Sequence, residues 1–131
     1  MVTTAFRVGS LGQDAVTGIK CLYSFPASSY YDCVKIASVN YQVTAGKTLY
    51  ITKLMLTVSV TASYLIIGYG DNAIDNAVTV PTNWKVMTSR LPLVLADQIQ
   101  SFDVFIPIPA TKYAHVYTSA GGSATIFGIE L

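Results

Sequence analysis

The sequence predicts an all-β protein, an antiparallel sandwich or barrel. Three observations carry this. Several segments alternate apolar and polar residues with a period of two, as a half-buried strand requires. Turns bearing Gly or Pro separate these segments at short intervals. No stretch longer than a turn or two shows helical periodicity.

The elements follow in chain order. Residues 1–33 read as an irregular N-terminal arm, broken by Gly9, Gly12 and Gly18 and carrying Phe25, Tyr30 and Tyr31. Short strand signals run from Gly18 to Phe25 and from Val34 to Val39. Residues 34–131 read as the domain. From Leu54 the alternation is clear: Leu54, Leu56, Val58 and Val60 point one way, Met55, Thr57, Ser59 and Thr61 the other. Tyr50, Ile51 and Lys53 break this register, which predicts a bulge near Thr52. Tyr64 to Tyr69 is a more fully buried strand, ended by Gly68, Gly70, Asp71 and Asn72. Trp84–Met87 and Leu93–Leu95 are short strands between Pro81 and Pro92 and beyond. Phe102, Val104, Ile106 and Ile108 share one face of a strand that Pro107 and Pro109 mark as an edge. Tyr113 to Thr118 and Ala124 to Leu131 follow, with Gly121-Gly122-Ser123 as the turn between them. Thr125, Phe127, Ile129 and Leu131 fall on one face of the final strand.

Composition narrows the function. The chain has 131 residues, one domain's worth, and is 52% apolar but only 11% charged. An average soluble domain carries roughly 25% charged residues. Such a surface is solvated by hydroxyl and amide side chains, or is covered by other chains. The net charge is +1 with no basic run, so the footprint of a nucleic-acid binder is missing. The N-terminal stretch lacks the apolar core of a secretion signal. Leu54 to Gly70 is uncharged, but its hydroxyl and β-branched residues and its Gly-Tyr-Gly end read as two strands and a turn, not a membrane span.

The motifs that suggest chemistry do not hold. Gly46-Lys47-Thr48 ends like a phosphate-binding loop, but Tyr41 stands where the first Gly is needed and a strand follows instead of a helix. Gly46 reads as the positive-φ residue of a tight turn with Lys47 at its exposed tip. His115 alternates with Tyr113 and Tyr117 and has no recognisable nucleophile motif near it, so a surface or interface role is expected. Asp71-Asn72 and Asp75-Asn76 match no calcium-loop spacing and read as turn residues. Asp14, Asp32, Asp97, Asp103 and Glu130 form no close pair. Cys21 and Cys33 with a single His make no four-ligand zinc set, and their pairing is left open. No enzymatic activity, metal or cofactor is expected. The nine tyrosines stand out, because Tyr and Trp combine apolar area with a polar tip and suit interfaces and sugar platforms. The candidate binding surface is Phe25, Tyr30, Tyr31, Tyr64, Tyr69, Trp84, Tyr113 and Tyr117.

Over residues 40–131 the chain resembles the small jelly-roll virion proteins of tailed bacteriophages, capsid decoration (cement) proteins and related fibre domains. The matching features are VTAGKTLYITKLMLTVSV (43–60) and SATIFGIEL (123–131), with YLIIGYGDN (64–72) and FDVFIPIPA (102–110) between them. Thr44 departs from the proline more familiar before Ala-Gly. The resemblance implies an antiparallel β-sandwich of jelly-roll type and a homotrimer that binds the major capsid protein. It implies a location in the virion, after assembly in the bacterial cytoplasm, with residues 1–33 as an arm over the shell. Its alternative is a receptor- or glycan-binding module of a phage fibre. Neither nucleic acid nor membrane is expected as a partner.

Overall fold

The computed structural model describes residues 19–25, 30–36, 39–58, 63–75, 77–93, 98–119 and 122–131. Within them eleven strands form and every pairing is antiparallel: β1 (Ile19–Phe25), β2 (Tyr30–Cys33), β3 (Lys35–Ile36), β4 (Val39–Asn40), β5 (Leu49–Val58), β6 (Ser63–Gly70), β7 (Lys85–Val86), β8 (Leu91–Leu93), β9 (Gln100–Ile108), β10 (Tyr113–Thr118) and β11 (Gly122–Glu130). The first sheet runs β1-β11-β5-β9. The second runs β2-β10-β6-β7, with β8 also on β6. Strands from the two halves of the chain thus pair outward-to-inward in both sheets, the order of a jelly roll.

Alternation explains the faces. Leu49, Ile51, Leu54 and Leu56 of β5 are buried, as are Ile106 and Ile108 of β9 and Ala124 and Ile126 of β11. They meet Leu65 and Ile67 of β6 and Ala114 and Val116 of β10 in one core. Each such Leu or Ile contributes roughly 1.5–3 kcal/mol by leaving water. The inward set changes parity between Ile51 and Leu54, and the bulge does this. Ile51 pairs with Gly128 and Lys53 with Phe127, so Thr52 is the extra residue on β5. Its hydroxyl donates to the Phe127 carbonyl at 3.3 Å. The bulge expected near Thr52 is therefore present, and it keeps both ends of β5 facing the core.

The turn before β5 also follows the sequence. Lys47 N–H donates to the Thr44 carbonyl at 3.0 Å, and Gly46 has φ of 81°. A strand follows, so the Gly-Lys-Thr triplet is a turn. Lys47 is half-buried, not an exposed tip. Three further expectations need correction. The residues assigned to an irregular arm include β1 and β2, the edge strands of the two sheets. The Gly18–Phe25 signal was a strand of the sandwich itself, because β11 pairs with it along its length. The Val34–Val39 signal is not one strand but the two-residue ribbon β3–β4. The turn expected at Gly121-Gly122-Ser123 ends earlier, since β11 already begins at Gly122. Residues 1–18, and with them Gly9, Gly12, Asp14 and Gly18, lie outside the described residues, as do Ser59, Val60, Thr61, Asn76, Val94, Leu95, Asp97 and Gly121.

Candidate functional site

Parity along β10 creates the site. Ala114 and Val116 enter the core, so His115 and Tyr117 face outward from the second sheet. His115 pairs with Cys33 of β2 on one side and Gly68 of β6 on the other. Gly68 leaves room for a large neighbour. A Cβ there would lie 2.2 Å from the Lys85 carbonyl oxygen and 2.6 Å from Cη2 of Trp84. Trp84 fills that room and meets His115 edge-on, with ring centroids 6.1 Å apart. His115 has no solvent exposure as a result.

The segment between β6 and β7, residues 71–84, straps this histidine down. The Asn72 carbonyl accepts from His115 Nε2 at 2.9 Å. A carbonyl only accepts, so the neutral ring carries its proton on Nε2, and Nδ1 is left without a partner among the described residues. Burial holds the His115 pKa below its ordinary value of 6.5. Tyr31 of β2 exchanges two backbone hydrogen bonds with Ala77. Lys112 Nζ and Asn83 Nδ2 donate to Asp71, which lowers that carboxyl's pKa. At the other end Lys35 Nζ donates to Asp75 at 2.7 Å and to Asp32 at 3.1 Å. Burial opposes ionisation of Asp75, but Lys35 together with hydrogen bonds from Asn40 and Asp32 outweighs it and lowers the pKa. Asp32 is more deeply buried, and there burial wins and raises it. Asp75 also accepts from the Cys33 backbone N–H at 3.2 Å.

Outward of His115 the aromatic rings form a row. Tyr31 meets Trp84 edge-on at 5.3 Å and Tyr117 at 4.9 Å, and Tyr117 meets Tyr64 at 6.1 Å. The Arg90 guanidinium lies over the Tyr64 ring, 4.2 Å from its centre. Four of the eight residues proposed from the sequence, Tyr31, Tyr64, Trp84 and Tyr117, are thus in ring contact. Tyr113 shares the outward parity of β10 but stands at its far end, opposite Gly70. Tyr69 is turned the other way and packs against the core. Phe25 closes β1 opposite Gly122, and Tyr30 pairs with Thr118. Sequence reasoning missed Arg90, because its place beside Tyr64 depends on β8 folding back onto β6. It also placed His115 at a surface or interface, whereas Trp84 covers it; the glycine at 68 was the available signal.

A second surface escaped the sequence reading. On the outer face of the first sheet Tyr50 stacks on Phe105 with centroids 5.1 Å apart and planes 25° apart. With Thr52, Ile129 and Leu131 they line a hollow of about 290 Å³. Phe105 is 71% exposed. The charged pair on this face, Lys53 and Asp103, neutralises itself at 3.8 Å.

Cys33 is a free, buried thiol, so it is not bonded to Cys21. Burial pushes its pKa up to about 12. No cluster of three or more His, Cys, Asp or Glu that would hold a metal occurs among the described residues. No described helix is long and apolar enough to cross a membrane.

No protein-family description and no curated protein matches the chain. Among solved structures, the nucleoplasmin-like N-terminal domain of Drosophila FKBP39 is similar at 13% identity and a TM-score of 0.46. The match covers 89% of this chain and 91% of that one. A likeness so distant carries no function across.

Proposed function

We propose that the chain is a structural protein of a bacteriophage virion, a capsid decoration protein that binds the assembled shell and stabilises it. One observation carries this reading: the charge-poor, apolar outer face of the first sheet, where Phe105 stands exposed on Tyr50 beside Ile129 and Leu131. A small soluble domain seldom leaves such a patch uncovered. Burying it between copies would give a closed homo-oligomer, a homotrimer in this proposal. The 11% charge content supports the same reading.

The mechanism is mass action. A protein that binds the shell but not its dissociated subunits stabilises the shell by about 2.7 kcal/mol per site when free protein exceeds Kd a hundredfold. The partner is the major capsid protein, and the location is the virion.

Light scattering on the purified chain comes first. A molar mass three times that of the chain, reduced to one by Phe105→Asp, is the expected result. Mixing with expanded capsids then reads occupancy and the rise in shell melting temperature. A monomer that leaves capsids unbound refutes the proposal.

A further inference from the structure

The second sheet offers a binding surface that shell assembly does not require. Tyr64, Tyr117, Tyr31 and Trp84 are each half-buried, and successive rings are tilted by 38°, 46° and 80°. Tilted rings form a furrow rather than a flat plate. A flat plate suits a nucleobase, whereas a furrow suits the apolar C–H faces of successive pyranose rings, with the phenol oxygens beside the sugar hydroxyls.

The furrow has a charged end. Arg90 is exposed, lies over the Tyr64 ring and pairs with no carboxylate among the described residues. The acids at the opposite end are already engaged. Asp71 is held by Lys112 and Asn83, and Asp75 and Asp32 by Lys35. Among the described residues, then, no carboxylate offsets the positive charge of Arg90 beside the rings. A guanidinium takes carboxylate or sulfate in a two-pronged hydrogen bond.

The neighbouring edges argue against an extended peptide, which would bind by adding a strand. The β6 side is broken into β7 and β8, of two and three residues. The β2 edge is already paired to Ala77 at Tyr31. Side chains alone are left to hold the ligand.

We propose that this furrow binds an acidic saccharide, with pyranose rings on Tyr64, Tyr117 and Tyr31 and a carboxylate or sulfate on Arg90. Trp84 is the chain's one tryptophan, and its position in the row makes binding visible without a label. The full chain is titrated with trigalacturonate, with a sulfated chondroitin disaccharide and with maltotriose, following tryptophan emission and confirming by calorimetry. A saturable change with either acidic probe and none with maltotriose is expected; which acid binds separates carboxylate from sulfate recognition. Arg90→Gln is expected to weaken binding about tenfold, the worth of one charge-assisted contact. Added salt weakens it as well. Phe105→Asp, on the other sheet, leaves it unchanged, so a failure of shell assembly does not mask the result. Tyr64→Ala is expected to abolish binding; if that variant does not fold, Arg90→Glu at the exposed position gives the same answer. No saturation by either acid at millimolar concentration, equal binding of maltotriose, or full affinity in Arg90→Gln and Arg90→Glu overturns the proposal.

Discussion

His115 is the chain's one histidine, so the stability of this protein between pH 7 and 5.5 reports largely on a single ring. Its pKa is lowered in the fold by burial beneath Trp84. The Asn72 carbonyl and the Asp75 charge favour the proton, while the Lys35 charge opposes it, and burial dominates. A lowered folded pKa fixes the sign. The unfolded chain takes up a proton first as pH falls, so stability is full above about 6.5 and declines below it, until the folded pKa is reached. The slope approaches about 1.4 kcal/mol per pH unit. From pH 7 to 5.5 the loss has a ceiling of about 1.2 kcal/mol, the value for a ring that takes up no proton in the fold. With an unfolding entropy near 2.1 cal/mol/K per residue, that ceiling corresponds to a fall in Tm of about 4 °C. Calorimetric scans at half-unit pH steps measure it. His115→Gln keeps a donor for the Asn72 carbonyl and cannot titrate, so its Tm is expected to stay flat over this window. A wild-type Tm that does not move, or a His115→Gln profile with the same fall, refutes the reasoning.

Three further outcomes follow from the geometry. Gly68→Ala places a Cβ against the Lys85 carbonyl, which makes room only by moving with the backbone of β7, so β7 and Trp84 are expected to lift away. That costs about 1–3 kcal/mol and shifts tryptophan emission to the red. Glu130 is 7% exposed and accepts from the Thr44 N–H at 2.7 Å; Glu130→Leu leaves that amide unmet and is expected to lower stability by about 2 kcal/mol in denaturant melts. Cys33, with its pKa near 12 and 2% exposure, is expected to stay unreactive toward a thiol reagent at pH 8 until the protein is unfolded; reaction in the native state contradicts the buried placement.

The sequence was most legible where one face of a strand is wet. Phe102, Val104, Ile106 and Ile108 alternate cleanly because β9 is an edge strand with Ser101, Asp103 and Phe105 in solvent. The register break at Thr52 was readable for the same reason, since a bulge inverts the alternation on both sides. The strap was not readable. Its residues obey no period, and its anchors join positions far apart in the chain, such as Lys112 to Asp71 and Lys35 to Asp75. The aromatic row was legible as residue types and not as a cluster. Tyr64 and Tyr69 look equivalent around one strand, yet five residues of alternation send one outward and the other into the core. The arm reads too long because β1 and β2 are edge strands, each paired with one other strand, and their patterns are correspondingly weak.

The position of β11 between β1 and β5 has a consequence for the order of events in folding. In the first sheet β1 and β5 have no contact as neighbours until β11 is inserted, and β11 is made after all the strands it joins. Pairings of this kind close long loops and fold slowly. The hollow beside Phe105 takes two of its walls from Ile129 and Leu131, at the end of that same strand. A nascent chain therefore cannot display the completed hollow, and under the proposed assembly only a molecule that has finished folding would recruit another.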